Sequence, residues 1–307
     1  MEFLKYYLLY IPLFIVLTIL ILKYLNKIDD EKRLYFLKIV ALVGIILHIS
    51  KPLFYPYNGN ILIEGTTNPD IFSFPSILRK ITIENISAAT TIFYLPILIS
   101  KNKKLLDYIV IIGFLGGFLA IIYPAEVIFN TFDSLPIDQN NYKKGLFTFD
   151  TVRFYFVHYI PFIISFSLMY YKLHVFDSKR MMFFPVSLMI LLSVLYLNEL
   201  IIWKLGWLDD IENILISKGN IGAKGELFYD RNYRNFSFVF GIPDNFKEMG
   251  MFIDILVPKF MKEPNYIPVF WVTLPVFLYG PLLYQAFNKV SSKIYYKENN
   301  EIDYSTE

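Results

Sequence analysis

Of the ionisable side chains inside otherwise apolar segments, six are the residues of this sequence best placed to do chemistry. They are His48, Glu84, Asp150, Arg153, His158 and Glu199. A charge at the centre of a bilayer costs ~3 kcal/mol or more, so such a side chain faces protein or water rather than lipid. We therefore expect these residues to line a polar pocket or to pair with one another.

Glu84 and His158 could carry acid–base chemistry. A carboxylate or an imidazole can take a proton from a water or a lipid hydroxyl, so we predict these two as the catalytic groups of the site. Asn85 and Asn198 could donate hydrogen bonds to an oxyanion that develops in the reaction. Ser87 follows Glu84 by three residues, which would place both on one helical stripe with Thr91.

Two further charged residues, Arg153 and Glu199, are predicted to contact the substrate, and Arg153 is also expected to pair with Asp150. Arg153 follows Asp150 by three residues, a spacing that favours an ion pair at a helix start. Glu199 is adjacent to Asn198 on a different helix face, so only one of the two is expected to point into a pocket. From residue type and spacing, the predicted substrate-binding residues are Asn85, Ser87, Arg153, Asn198 and Glu199.

Several classes of chemistry are excluded or unsupported. The chain has no cysteine, which excludes thiolate nucleophiles, thiolate metal sites and disulfides. It contains none of the motifs HExxH, GxSxG or GxxxxGK[ST], and we predict neither a metal nor a cofactor. The net charge of +2 is too small for nucleic-acid binding. A membrane lipid, or a lipid-like or small-molecule substrate, is the expected partner.

The composition indicates which elements must position these residues. Of 307 residues 55% are hydrophobic and only 18% are charged, and mean hydropathy is +0.46. A soluble domain carries about a quarter charged residues, so the deficit favours a lipid-facing surface. We predict an all-α, polytopic membrane bundle of about seven transmembrane helices within residues 1–292. The predicted spans are 6–25, 34–55, 81–100, 105–129, 149–171, 181–203 and 266–287.

The predicted orientation places the polar residues at a common depth. Thirteen Lys and Arg residues flank the spans on one side and six on the other, and the richer side is cytoplasmic by the positive-inside rule. The protein is thus expected in the cell membrane with its N-terminus outside, the loop 204–265 outside and a cytoplasmic tail at 293–307. All six ionisable residues then fall in the outer half of the bilayer, as an outward-facing pocket requires.

The motifs around these residues resemble a known family. In order along the chain they are ITIENIS, SKNKKLLDYIVIIGFLGGFLAIIYP, FDTVRFYFVHYIP, YLNELIIW and NYRNFSFVFGIP. This series resembles the YwaF-type bacterial integral membrane proteins, which are similar to eukaryotic transmembrane phospholipid acyltransferases. The resemblance covers about 81–281 and implies lipid acyl chemistry.

The resemblance also implies roles for single residues. His158 matches the family histidine, while Asn85, Asn198 and Asn235 match family asparagines, which adds Asn235 to the predicted substrate contacts. Glu84 stands where the family has a cysteine. A carboxylate is a much poorer acyl carrier than a thiolate, so the family's thioester chemistry does not transfer to this position. Ser87 is the nearby serine that could replace the nucleophile.

Three functions remain open from the sequence. The first is a lipid acyltransferase or hydrolase. The second is a non-enzymatic protein that binds or transports a lipid or small solute, with Glu84 and His158 as polar anchors. The third is a structural membrane subunit that docks a partner through the loop 204–265.

Overall fold

The structure is a computed structural model, and it describes residues 4–59, 61–67, 74–132, 135–226, 239–242, 247–263 and 265–302. Twelve α-helices and one small hairpin lie in these ranges. The helices are α1 (Leu4–Leu25), α2 (Asp30–Ile49), α3 (Phe74–Lys80), α4 (Ile86–Ser100), α5 (Lys103–Ile122), α6 (Ala125–Ile128), α7 (Phe149–Tyr170), α8 (Phe183–Lys204), α9 (Asp209–Ser217), α10 (Lys247–Asp254), α11 (Lys259–Lys262) and α12 (Thr273–Ile302). The hairpin pairs β1 (Thr131–Phe132) with β2 (Leu135–Pro136) in antiparallel register.

Five helical segments of the described chain are long and apolar enough to cross a membrane. They are Leu4–Leu25, Lys103–Ile128, Phe149–Tyr170, Ser178–Lys204 and Phe270–Lys293. The predicted membrane class and helical fold are thus confirmed at this level, with five such helices rather than seven. Two predicted spans do not meet these criteria, because α2 begins with the charged residues DEKR and α4 has only 15 residues.

Helix α7 is the centre of the bundle. In its most apolar window 78% of the residues are buried, against 17% in α1. It packs closely on α5 because Gly113 and Gly117 face it: a Cβ on Gly117 would lie 2.4 Å from the carbonyl oxygen of His158. Gly116, by contrast, does not take part in this contact, because a Cβ on it would meet nothing within 4 Å.

Aromatic stacking joins α1 to α7. The rings of Tyr10 and Tyr155 are stacked with centroids 3.8 Å apart, and those of Phe14 and Tyr159 with centroids 4.3 Å apart. Stacked aromatic pairs add about 1 kcal/mol each beyond the area that they bury. The exposed face of α1, by contrast, is apolar, as expected of a helix that faces lipid.

The two ends of the bundle differ. We call the end where α4 begins and α5 finishes the site end, and the end where α5 begins and α7 finishes the opposite end. At the site end the connecting segments form a cap with its own apolar core, which includes Tyr57, Ile63, Ile137, Ile211 and Leu215. Part of the long loop predicted at 204–265 therefore packs on the protein, and it contains the short amphipathic helix α9.

Two predicted boundaries need correction. Helix α4 starts at Ile86 and not near residue 81, because Asn85 is its N-cap and accepts a hydrogen bond from the amide of Ala88 at 2.8 Å. Glu84 therefore precedes the helix and does not belong to a helical stripe. The tail predicted at 293–307 begins within α12, which continues to Ile302.

Candidate functional site

A polar cavity of about 610 Å³ lies at the site end, between the bundle and its cap. Glu84 and His158 both line it, so the convergence of these two side chains expected from the sequence is observed. Asn85, Ser87 and Arg153 line it as well. The helices supply His48 from α2, Ser87 and Thr91 from α4, and Arg153 and His158 from α7, while the cap supplies Lys51, Tyr57, Lys80 and Glu126.

Ser87 and His158 form a hydrogen-bonded pair on the wall of this cavity. The Oγ of Ser87 lies 3.2 Å from Nε2 of His158, and Nδ1 of His158 lies 2.7 Å from the carbonyl oxygen of Phe154. A carbonyl oxygen can only accept, so Nδ1 carries the proton of the neutral ring and Nε2 has the lone pair. Ser87 is therefore the donor, and the imidazole is oriented to receive its proton.

Local structure fixes the position of Ser87. It is the second residue of α4, directly after the capped first turn begins. The first amide groups of a helix have no partner within the helix, and the helix dipole places partial positive charge there. An anion that forms on or near the Ser87 side chain would be stabilised by this helix end. The side-chain oxygen of Asn85 is used by the cap, which leaves its amino group as the donor.

Glu84 is surrounded by cations. Its carboxylate oxygens lie 3.4 Å from Nζ of Lys80, 3.7 Å from Nη1 of Arg79 and 4.0 Å from Nζ of Lys51. All four side chains are buried. Burial, followed by the charge of Arg153, lowers the pKa of Lys51 to about 7, although Glu84 opposes the shift. The carboxylate thus acts as a shared counter-ion in this arrangement.

Asp150 anchors a second charged group beside the cavity. Nζ of Lys144 lies 2.8 Å from Oδ2, Nη2 of Arg153 lies 2.8 Å from Oδ1, and the Tyr57 hydroxyl donates to Oδ1 at 2.5 Å. The predicted pairing of Asp150 with Arg153 is therefore observed. Burial alone would lower the pKa of Lys144, but Asp150 and Glu126 outweigh it and hold that pKa above its ordinary value.

These two groups surround the cavity with buried charges. Among the described residues, the cations Lys51, Arg79, Lys80, Lys144 and Arg153 pair with the carboxylates Glu84, Glu126 and Asp150. Nε of Arg153 is buried and makes no hydrogen bond to the described residues. A buried donor without a partner costs about 1–3 kcal/mol. An anionic ligand in the cavity would satisfy this donor.

The other predicted substrate contacts lie elsewhere. Asn198 donates to Oγ1 of Thr82 at 3.1 Å, and Glu199 is buried in α8 with 1% exposure. Neither belongs to the described residues that line the cavity. Both residues are on the last turns of α8, which pack against the chain before α4 instead of turning toward α7. Asn235 lies outside the described residues.

The cavity also contains residues that were not predicted as part of the site. From the sequence, Lys51, Lys80 and Lys144 only count toward the orientation of the spans, and no role is predicted for Tyr57 or Glu126. One signal was present: Lys51, Arg79, Lys80 and Lys144 are four of the six basic residues on the side predicted to be poor in them. A cation retained against the positive-inside bias is a candidate for a buried role.

Comparisons with known proteins add no assignment. The chain matches no known family model, no curated protein and no solved structure. Among the described residues there is also no group of three or more histidine and acidic side chains arranged to hold a metal ion. The functional interpretation consequently rests on the geometry of the cavity.

Proposed function

We propose that this protein is a cell-membrane acyltransferase or hydrolase that acts on a lipid ester at the Ser87–His158 pair. The observation that carries the proposal is the hydrogen bond from Ser87 Oγ to His158 Nε2, 3.2 Å long, on the wall of a polar cavity. A hydroxyl oriented toward the lone pair of an imidazole, whose other nitrogen is held by a carbonyl, is the arrangement that activates a serine nucleophile.

The reaction proceeds in two steps. Ser87 Oγ attacks the ester carbonyl carbon while His158 Nε2 takes the hydroxyl proton, and the tetrahedral intermediate collapses as His158 returns the proton to the leaving alcohol. The acyl group is then an ester on Ser87. In the second step His158 takes a proton from a water or an acceptor hydroxyl, which attacks the acyl-serine. His158 then returns this proton to Oγ of Ser87 as the bond between Oγ and the acyl carbon breaks, which regenerates both side chains. Water gives a free fatty acid, and an acceptor alcohol gives a new ester.

The surroundings supply the electrostatic stabilisation that such a reaction needs. The start of α4 and the amino group of Asn85 are donors near the carbon that is attacked. The positive charge of Lys51, Lys80 and Arg153 favours a lipid with a phosphate in its headgroup. These features support a phospholipid ester over a neutral one.

The topology that we propose has seven crossings, with α2 and α4 in addition to the five long apolar segments. Helix α4 has 15 residues and is about 22 Å long, shorter than the ~30 Å hydrocarbon core. Its first turn would then begin below the headgroups, and the cavity would extend the aqueous phase to that depth. The N-terminus is placed outside and the C-terminus in the cytoplasm, in line with the distribution of Lys and Arg.

The proposed role of Glu84 differs from the proton transfer that the sequence predicts. Three cations lie within 4.0 Å of its carboxylate, which favours a role in holding Lys51, Arg79 and Lys80 around the headgroup. The reaction class stays that of the YwaF-type family that the chain resembles. The nucleophile moves from the cysteine position, here Glu84, to Ser87.

The test uses purified protein in vesicles that contain phospholipid with a labelled acyl chain. We expect Ser87→Ala to reduce acyl release by ~10⁴-fold or more and His158→Ala by ~10²-fold to 10⁴-fold, because the nucleophile and its base are removed. Added lysophospholipid distinguishes transfer from hydrolysis by its product. Ser193→Ala is the matched control, since Ser193 lies on α8 and bonds only its own helix at Met189 in the described structure.

Two results would contradict the proposal. Acyl release at the wild-type rate by Ser87→Ala would show that Ser87 is not the nucleophile. Acyl release at the wild-type rate by His158→Ala would show that His158 is not the base. Glu84→Gln should lower the rate through weaker lipid binding, with an increased KM. A decrease in kcat with no change in KM would instead support the catalytic role of Glu84 predicted from the sequence.

A second candidate is a protein that binds or transports an anionic lipid or solute without chemistry. The observation that favours it is the group of buried cations, Lys51, Lys80 and Arg153, that line a cavity large enough for a small ligand. Binding that survives in Ser87→Ala, together with no acyl release by the wild type, would support this candidate. Protein-mediated uptake into vesicles that is lost in Arg153→Gln would then identify transport.

A further inference from the structure

An apolar groove runs along the outside of the bundle beside the candidate site. It has a volume of about 440 Å³ and lies between α4, α5 and α8. Its walls are formed by Phe93, Ile97, Leu105, Ile109, Ile190 and Val194, among others. Ile190 is 60% exposed and Leu105 is 38% exposed, so the groove is open on the side that would face lipid.

A small cleft lies between the groove and the Ser87–His158 pair. This cleft, of about 20 Å³, lies between α4, α5 and α7 and is lined by Ser87, His158 and Gly116. Thr90 lines both the cleft and the groove. The groove and the Ser87–His158 pair are therefore neighbours, with Thr90 between them.

Thr90 marks the junction with an unsatisfied polar atom. The residue is 4% exposed, and its Oγ1 is buried without a hydrogen-bond partner among the described residues. Thr90 follows Ser87 by three residues on α4, so both side chains are on the same face of the helix. A ligand with an oxygen at this point and apolar atoms beyond it would satisfy the hydroxyl and fill the groove.

We infer that the groove binds the acyl chain of the lipid ester, with the ester group at Thr90 and Ser87 and the headgroup in the polar cavity. The inference rests on the proposed function and adds the path of the chain. Along α4 the groove extends from Ala89 to Ser100, about 17 Å at the helical rise. A long acyl chain fits this length, and it would lie parallel to α4 as the chains of the surrounding bilayer do.

Chain-length selectivity tests this path. Ile190→Trp fills the middle of the groove, and we expect kcat/KM for a stearoyl ester to fall by ~10-fold or more while that for a hexanoyl ester is unchanged, since a short chain ends before the obstruction. Leu197→Trp is the matched control. Leu197 is seven residues further along α8, is 53% exposed and is not among the residues that line the groove.

A second measurement does not depend on catalysis. A phospholipid with a photoreactive diazirine near the end of its acyl chain, present at increasing mole fractions in vesicles, is cross-linked to the Ser87→Ala protein. We expect labelling at Ile97 to Leu105 that saturates with probe concentration and is lost in the double variant with Ile190→Trp. Labelling proportional to the share of probe in the bilayer would mean that ordinary membrane lipid fills the groove, which would overturn the inference.

The outcomes separate this inference from the proposed function. An unchanged chain-length profile in Ile190→Trp overturns the acyl path and leaves the Ser87–His158 chemistry in place. Saturable labelling of the groove without acyl release by the wild type would support the binding path and overturn the chemistry.

Discussion

Two buried carboxylates, Asp107 at the opposite end and Glu84 at the site end, are held in different ways. Asp107 accepts hydrogen bonds from Arg180 at 2.6 Å, His174 at 2.7 Å and Tyr284 at 2.9 Å. Glu84 is paired with three cations at 3.4 to 4.0 Å and borders a cavity of about 610 Å³. The first cluster is closed by short bonds, whereas the second is loose and borders open space.

The difference distinguishes a structural cluster from a binding site. The Asp107 cluster joins α5 to the segment before α8 and to α12, so its charges are used to fix helices. At the site end the charges border a cavity, and Nε of Arg153 has no hydrogen-bond partner among the described residues. Charge alone therefore does not identify a candidate site in this protein, since a cavity and an unsatisfied donor are needed as well.

The largest expected effect on stability comes from breaking the closed cluster. Asp107→Asn leaves the buried end of Arg180 without its counter-ion, which should lower the free energy of unfolding by about 3–5 kcal/mol. Asp177→Asn is the control, because Asp177 is 47% exposed and pairs with the same Arg180 at 3.8 Å. A surface pair of this kind contributes about 0–1 kcal/mol. Unfolding in detergent provides the measurement, and equal losses in both variants would contradict the structural role of Asp107.

A smaller effect is expected where α5 meets α7 at the site end. There the two helices are joined by glycine packing instead of ion pairs. Gly117→Ala places a methyl group 2.4 Å from the carbonyl oxygen of His158, which should cost about 1–3 kcal/mol and displace the imidazole from Ser87. Gly116→Ala enters open space and should be neutral or stabilise by up to ~1 kcal/mol. Thermal unfolding compares the two variants, and acyl release is measured for Gly117→Ala. Equal stability of the two variants would show that α5 does not depend on this close contact.

The sequence predicts the apolar helices and a pocket shared by five polar residues, for a physical reason. Glu84, Asn85, Ser87, Arg153 and His158 are polar residues in or beside apolar spans, where retention of a polar group has a high cost and thus carries information. Their common depth follows from the alternating direction of the spans. The structure places all five on one cavity.

The rest of the site comes from the cap, whose segments are not apolar, so a polar residue in them does not stand out in the sequence. Lys51, Tyr57, Lys80 and Lys144 lie in connecting segments, where charged and aromatic residues are ordinary. Their burial results from the packing of three distant segments, and hydrophobic periodicity does not predict such contacts. Asn198 shows the converse case: it has the right type and depth, but the rotation of α8 directs it toward Thr82.

The Asp107 cluster was missed because of where its members lie. Asp107 is two residues inside the predicted span 105–129, at a boundary that is uncertain by several residues. His174 and Arg180 fall in the loop between the predicted spans 149–171 and 181–203, on the same side of the membrane as Asp107. Charged residues are ordinary in such a loop. Only the fold brings them within hydrogen-bonding distance of Asp107, together with Tyr284.

The smallest expected effect is a pH dependence of lipid binding at the open cluster. Burial and the charge of Arg153 lower the pKa of Lys51 to about 7, so Lys51 is positively charged below this pH and neutral above it. An anionic headgroup should therefore bind more weakly as pH rises through 7. In a hydrated cavity one charge contributes about 1 kcal/mol, or roughly fivefold in Kd.

Binding of short-chain phosphatidylglycerol to the Ser87→Ala protein measures this effect, because the charge of a phosphodiester does not change between about pH 6 and 8.5 and no turnover interferes. Lys51→Arg should bind equally at both ends of this range, since a guanidinium stays protonated throughout. Lys51→Met should bind weakly at both ends. If the wild type shows no change while Lys51→Met binds weakly, Lys51 keeps its proton across the range and the loose pairing with Glu84 stabilises its charge more than burial opposes it. If both variants match the wild type, the headgroup does not approach Lys51. The open end of the molecule would then bind its ligand nearer Arg153.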